Sequence, residues 1–245
     1  MDSVFKSFDK EIKSRRDECF AQYLCEQILN PLALSVLREI MQQTKVYIFS
    51  GVIRDYFLGR ESEHRDIDIV LEHNISWWSI FRRYRRCISV KVNSFGGIKA
   101  KIDNLTVDLW TMQNTWGIMR KGVRNTPQNL IRTAFFNFSA VVYSVDRQRF
   151  YIHKSFAQFV NDRVIDILYK ENPNVPLCIV NTMYYSQLLQ MPLAPELEKW
   201  IVSHYSIFDN YEKPQLSHWG FLRYSHRDIH LFVSRCEGGG SSSAK

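Results

Sequence analysis

The chain has 245 residues, 45% of them apolar and 14% aromatic, and carries a formal charge of +7. That composition excludes a disordered chain and suits one large folded domain or two small ones, while no run approaches the roughly 18 apolar residues of a membrane span. The basic balance favours an anionic partner, although an ordinary basic surface would give the same figure, and Asp2, Lys6 and Asp9 argue against a secretory leader.

In chain order, residues 4–43 carry a helical rhythm. Phe20, Leu24, Ile28 and Leu32 recur on one face, and Pro31 breaks or restarts the helix. Residues 45–49 read as a short buried strand, 52–58 as a helix stopped by Gly59, 66–72 as a second strand and 76–86 as a helix capped near Ser76. Residues 88–93, 97–102 and 105–111 read as strands, with a tight turn at Lys101-Ile102-Asp103-Asn104. Strand, helix, strand, helix and then a meander predict an α/β (α+β) half built on a mixed sheet. Residues 127–135 are helical in pattern, and 138–145 with 149–153 form a hairpin around Asp146-Arg147. Beyond that, helices are expected over 156–168, 177–190, 195–205 and 218–236. The predicted organisation is a head over residues 1–153, a helical domain over 154–236 and a flexible tail over 237–245. Cys19, Cys25, Cys87, Cys178 and Cys236 form no C-x-x-C pair and no zinc pattern with the histidines, which points to a reducing, cytoplasmic setting.

The chemistry concentrates around the second strand. Strand side chains alternate, so Asp66 and Asp68 share a face, roughly 6.5–7 Å apart at Cα. Carboxylates so spaced can share divalent cations, and a two-metal site clamps the attacking and leaving oxygens of phosphoryl transfer. Asp108 supplies a third carboxylate from inside an otherwise apolar strand, where an unpaired charge would be costly; a metal would resolve that cost, and so would pairing with Arg54, Arg65 or Lys99. Ser50-Gly51 stands at a strand-to-helix turn, where free N–H groups attract phosphate. Arg54 either touches phosphate or pairs with a carboxylate of the site. Lys99 and Lys101 alternate before Asp108, and Lys121, Arg124 and Arg132 lie where a triphosphate or an acceptor strand would pass. Arg82, Arg83, Arg85 and Arg86 accompany Trp77, Trp78, Phe81 and Tyr84, a mixture that binds single-stranded nucleic acid or simply forms a solvated helix face over a core.

These residues resemble the CCA-adding enzyme and bacterial poly(A) polymerase family, within the polymerase-β-like nucleotidyltransferases. The family's head reads G-G-x-V-R-D-x-L-L-G-R and then D-x-D. Here Ser50-Gly51-Val52-Ile53-Arg54-Asp55-Tyr56-Phe57-Leu58-Gly59-Arg60 is followed by Asp66-Ile67-Asp68, with Ser for the first Gly. The resemblance covers about residues 45–205. It implies a sheet of about five strands with a helical neck, and two Mg²⁺ (or Mn²⁺) ions on Asp66, Asp68 and Asp108. It further implies that Ser50 and Gly51 cradle the β/γ-phosphates of a nucleoside or deoxynucleoside triphosphate.

Two departures bear on substrate. The family's R-R-D-F-T-I-N-A-L-A-Y becomes Thr133-Ala134-Phe135-Phe136-Asn137-Phe138-Ser139-Ala140-Val141-Val142-Tyr143, so the charged triplet that contacts the ribose is lost. Phe135 cannot accept a 2′-hydroxyl and suits a deoxyribose, while Asn137 or Arg132 remains able to read that hydroxyl. The neck motif E-D-P-x-R-x-x-R-A-x-R-F-A becomes the stretch 174–186, with Cys178, Asn181 and Tyr184 in place of its arginines. Asn174, Asn181 and Tyr184 then form a different base pocket, for which adenine is the expected base, or serve as caps and surface. The reading is a metal-dependent, template-independent nucleotidyltransferase that adds nucleoside monophosphates, dAMP among them, to a hydroxyl of a short single-stranded oligonucleotide. Compact proteins of this kind resemble nucleotidyltransferases of bacterial antiphage systems, whose product signals to a separate effector protein. RNA 3′-end addition, transfer of AMP to a protein, and an inactive nucleotide-binding scaffold are the alternatives.

Overall fold

The computed structural model describes residues 17–60, 66–92, 96–208 and 210–239. The chain divides into two compact units. The first runs to Ala134 and takes in Phe138–Asn161; the second comprises Phe135–Asn137 and continues from Asp162.

The first unit is built on a mixed sheet of seven strands: β1 (Val46–Phe49), β2 (Ile67–Leu71), β3 (Ile88–Val92), β4 (Ile98–Ile102), β5 (Leu105–Thr111), β6 (Val141–Ser144) and β7 (Arg149–Ile152). Their spatial order is β3-β4-β5-β2-β1-β6-β7, and β2 with β5 is the parallel pair. The resemblance implied about five strands; the β6–β7 hairpin adds two because β6 pairs with β1 and continues the same sheet.

Alternation along each strand gives the sheet two different faces. On one, Ile69, Ala100, Ile102, Val107 and Leu109 point into a core closed by helices α2 (Pro31–Met41) and α4 (Trp77–Tyr84), which contribute Ala33, Val36, Leu37, Ile40 and Ile80. The helical expectation over 4–43 resolves into α1 (Asp17–Tyr23), a π-helical turn (Leu24–Ile28) and α2, which restarts at Pro31 behind an Asn30 cap; residues 4–16 lie outside the described residues. Farther along this face, an aromatic cluster joins Phe20 of α1 to Tyr56 of α3 (Gly51–Leu58), Tyr143 of β6 and Phe150 of β7, with ring centroids 4.8–5.0 Å apart. Phe57 extends it to Phe156 of α7 (Lys154–Asp162), which is why α7 groups with the first unit.

The opposite face divides in two. One half is apolar: Tyr47, Val70 and Val142 are covered by Ile118 of α5 (Trp116–Lys121) and by Leu130 and Ile131 of α6 (Pro127–Arg132). Gly117 makes this closure possible, since a Cβ there would stand 2.4 Å from the Cβ of Thr133. The other half, over β3, β4, β5 and the start of β2, is polar, exposed on β3 and β4 and half-buried on β5 and β2.

The second unit is helical: α8 (Val175–Leu189), α9 (Pro195–Tyr205), α10 (Glu212–Trp219) and α11 (His226–Gly239). Three expectations shift here for local reasons. The helix expected over 156–168 ends at Asp162, because Arg163 takes φ 56° and Ile165 and Ile167 leave as bridges to Leu193 and Phe136. The helix expected over 218–236 is two helices, because Gly220 at φ 79° caps α10. Buried Gln215 holds the link between them, its amide bonding the backbone of Tyr211, Arg223 and Tyr224. Finally, residues 237–239 of the expected tail form the last turn of α11, and 240–245 lie outside the described residues.

Arg54 is the largest fully buried side chain. Its Nε donates to Asp55 Oδ1 at 2.9 Å, and its guanidinium lies 5.1 Å from the Phe138 ring centroid. Removing one partner of a buried ion pair leaves the other charge stranded and costs about 3–5 kcal/mol. Arg54→Met is therefore expected to lower unfolding free energy by about that much in urea titrations; a loss under about 1 kcal/mol would show that the pair is not holding α3.

Candidate functional site

The polar half of the sheet gathers the three carboxylates. Asp68 and Asp108 are register partners across the parallel β2–β5 pair, so their Cα atoms are separated by about one strand spacing of roughly 4.8 Å. Asp66, two residues before Asp68, lies on the same face by alternation. All three are half-buried. The neighbouring strand adds a cation: Lys99 pairs with Asp108 in the β4–β5 register. Its Nζ donates to Asp66 Oδ2 at 2.7 Å and to Asp108 Oδ2 at 3.4 Å. Partial burial disfavours the Lys99 charge, but the hydrogen bond to Asp66 and the charge of Asp108 outweigh it, and its pKa is raised above the ordinary lysine value. Of the structural partners weighed for Asp108, Lys99 is seen at the cluster. Arg54 is committed to Asp55, and Arg65 lies outside the described residues.

Among the described residues, no three acidic, histidine or cysteine side chains converge, as they stand, into a ready metal cage. The donor set nevertheless suits a hard divalent cation. It consists of carboxylate oxygens on one face of adjacent strands, and a positive group is already drawn between two of them.

Ser50 closes the turn between β1 and α3. It adopts φ 53° and ψ −96°, in the half of the map that favours glycine, and leads into Gly51, the first residue of the helix. Its hydroxyl does not cap α3 but donates to Ser139 Oγ at 2.8 Å. The carboxylates, Ser50, Gly51, Arg54 and Arg132 all belong to the first unit; Arg54 is buried, whereas Arg132 is exposed at the end of α6.

Phe135 and Asn137, expected at the sugar, and Asn174, Asn181 and Tyr184, expected at the base, belong to the second unit. The Phe135 ring packs against Phe136 and Trp200 with centroids 4.7 and 5.0 Å away. Asn137 is buried and donates from Nδ2 to the Val164 carbonyl at 2.9 Å. Asn174 caps α8, its side chain accepting from the Leu177 amide. Asn181 and Tyr184 are half-buried on α8, three residues apart and thus on neighbouring positions of one face. Arg223 lies over Tyr184, 4.6 Å from the ring centroid. Residues not foreseen from sequence are Ser139, which holds Ser50, and Lys91, which sits opposite Lys99. The alternation of residues 88–92 carried the signal for Lys91, and the Ser139 contact spans too much sequence to leave one.

No protein-family model matches the chain, and no curated protein matches it. Solved structures do. A CCA-adding enzyme in complex with CTP aligns with a TM-score of 0.61 at 16% identity, covering 89% of this chain and 54% of that one. An apo tRNA-processing enzyme aligns at 0.54 and 22%, covering 73% and 48%. A tRNA nucleotidyltransferase complexed with a primer tRNA and an incoming ATP analogue aligns at 0.53 and 22%, covering 71% and 49%. The chain shares the fold of these proteins and spans about half their length.

The Ser50 backbone supplies a test by reversal of sign. At an ordinary position alanine is more stabilising than glycine by about 0.5–1 kcal/mol, but a strained backbone costs a non-glycine residue about 1–3 kcal/mol. Both Ser50→Gly and Ser50→Ala lose the Ser139 hydrogen bond, so Ser50→Gly is expected to melt higher than Ser50→Ala. The opposite order would contradict the strained turn.

Proposed function

We propose that the chain is a metal-dependent, template-independent nucleotidyltransferase, transferring a nucleoside monophosphate from a triphosphate to the hydroxyl of an oligonucleotide. One observation carries the reading: Asp68 and Asp108 stand side by side on parallel strands, with Asp66 on the same face, in a fold shared with solved tRNA nucleotidyltransferases. Asp66, Asp68 and Asp108 would hold Mg²⁺ or Mn²⁺, two ions by the resemblance. Bound there, the metal supplies charge neutralisation at the phosphoryl group and lowers the pKa of the attacking hydroxyl.

The protein's own groups do the positioning. The Ser50-Gly51 turn brings the backbone of the α3 N-terminus against the β/γ-phosphates. The acceptor oxygen bonds to the α-phosphorus as the bond to pyrophosphate breaks. Lys99, beside the carboxylates, would offer its charge to the polyphosphate. In the second unit, taken by itself, Asn181 and Tyr184 offer an amide and a ring that suit a base, with adenine as the favoured partner. The stretch that replaces the family's ribose-reading triplet offers little to a 2′-hydroxyl: the Thr133 hydroxyl is spent on the Leu130 carbonyl at 2.9 Å, and Ala134 and Phe135 are buried and apolar. This supports the reading that deoxynucleotides are accepted alongside ribonucleotides. The five free thiols support a reducing, cytoplasmic setting, and among the described residues no helix is long and apolar enough to cross a membrane.

A second reading, RNA 3′-end extension, is favoured by the solved tRNA nucleotidyltransferase with its primer tRNA. One assay separates the two. Purified protein is incubated with each labelled NTP and dNTP, Mg²⁺ or Mn²⁺, and a DNA oligonucleotide, an RNA oligonucleotide or a tRNA lacking its 3′ end; products are resolved by size. The expected result is dATP use at least equal to ATP. Asp68→Asn and Asp108→Asn should each lose about 100-fold or more, since metal stabilisation of several kcal/mol is forfeited at about 1.36 kcal/mol per tenfold in rate. Ordered addition of C, C and A to the tRNA, or strong preference for ATP, would move the conclusion to the second reading. Full activity in either variant would remove the carboxylates from the chemistry.

A further inference from the structure

One line of register partners crosses the exposed half of the sheet. From the β3 edge inward it reads Lys91, Lys99, Asp108 and Asp68. A second line beside it reads Ser89, Lys101 and Thr106. Alternation points these side chains to the same face: on β4, Ile98, Ala100 and Ile102 are buried while Lys99 and Lys101 are exposed. On β3, Ser89 and Lys91 are exposed. Three strand spacings separate Lys91 from Asp68, about 14 Å.

Lys91 and Lys99 are directly opposite one another, an arrangement that destabilises a strand pair. A lysine on an edge strand is commonly a guard against edge-to-edge pairing, and Lys91 alone would read that way. Lys99 and Lys101 do not fit that role, because β4 is paired on both sides. Nor, among the described residues, does pairing with acidic groups account for the set: the Lys99 ammonium is bonded to Asp66 and Asp108, which leaves the like charge of Lys91 opposite it and that of Lys101 two residues along. What neutralises such a row is an anion with repeated charges that lies along the sheet.

We propose that Lys91 and Lys101, with Ser89 opposite Lys101, form a track for the phosphodiester backbone of a single-stranded nucleic acid, which delivers the strand's end to the carboxylates. The inference rests on the carboxylates being the reaction centre. The row extends from them to the sheet edge, which suits a polymer of phosphates better than one triphosphate held beside the metals. Among the described residues it carries no exposed aromatic ring, so recognition along it is by charge and indifferent to base.

The test is fluorescence anisotropy with a labelled single-stranded oligonucleotide, using the full chain at several salt concentrations. No triphosphate is present, so the assay reads the track whether or not the protein turns over. The Lys91→Ala/Lys101→Ala double variant should bind the strand about tenfold or more weakly at 50 mM salt, and its log–log salt slope should be shallower by about 1.4, two contacts at about 0.7 each. Lys91→Arg/Lys101→Arg should restore binding. Lys213→Ala, a charge removed from exposed α10, should leave the affinity within about twofold. A fluorescent ATP analogue should bind wild type and the double alanine variant alike. Unchanged strand affinity in the double variant, an equal loss in Lys213→Ala, or loss of the ATP analogue without loss of the strand would each overturn the track. Strand binding that depends on the lysines, in a protein inactive with every triphosphate, would leave the track standing and remove the transfer reaction instead.

Discussion

The parallel pairing of β2 with β5 is the constraint on which the site depends. It sets Asp68 beside Asp108 although forty residues separate them in the chain. A parallel pair needs a crossover, and here α4, β3 and β4 form it. The crossover contributes more than length. It returns as an antiparallel β3–β4 hairpin on the far side of β5, so the strand next to Asp108 is the one that carries Lys99. A slip of one residue in either pairing would turn the acidic residue into the apolar core on the other face. The Ile69, Val107 and Leu109 side chains beneath the site, packed on α2 and α4, resist that slip and so fix the carboxylates above.

Electrostatics then divide the sheet. Carboxylates held this close repel one another, and a cation between them is the simplest compensation. Lys99 supplies it in the protein alone. The same row of register partners continues past Asp68 to Phe49, Val142 and Tyr151, where charge gives way to a surface covered by α5 and α6. The site sits at the boundary between a covered apolar half and a polar half open to solvent. Arg54 shows the distinction at the level of one residue: in sequence it reads as a phosphate ligand or a structural cation, and in the structure it is buried, paired with Asp55 and set against the Phe138 ring.

Much of the head was legible because its signals are local. Seven stretches of alternating or apolar character gave seven strands, and Asp103 at φ 55° lies in the tight turn expected between β4 and β5. The carboxylates announced themselves as acids in otherwise apolar strands. What local pattern did not carry was pairing partner and helix continuity. That the β6–β7 hairpin joins the main sheet depends on long-range pairing with β1. The ends of α7 and α10 turn on single residues, Arg163 and Gly220, whose left-handed backbone a periodic apolar pattern masks. Phe135 and Asn137 stand where the family motif places polar groups, which makes them candidate ligand contacts in the sequence. Their observed neighbours, Trp200 and the Val164 carbonyl, lie far along the chain and left no trace nearby.

The central claim is that Asp66, Asp68 and Asp108 form one cation site in which Lys99 holds the place of a metal. Calorimetric titration of Mn²⁺ into the full chain, without nucleotide, addresses it directly. Wild type should bind the ion. Asp68→Asn should weaken binding by about 100-fold or more, beyond what loss of a merely supporting group costs, and Lys99→Gln should tighten it because the competing ammonium is gone. Equal Mn²⁺ affinity in wild type, Asp68→Asn and Lys99→Gln, or no binding by wild type at all, would contradict the account.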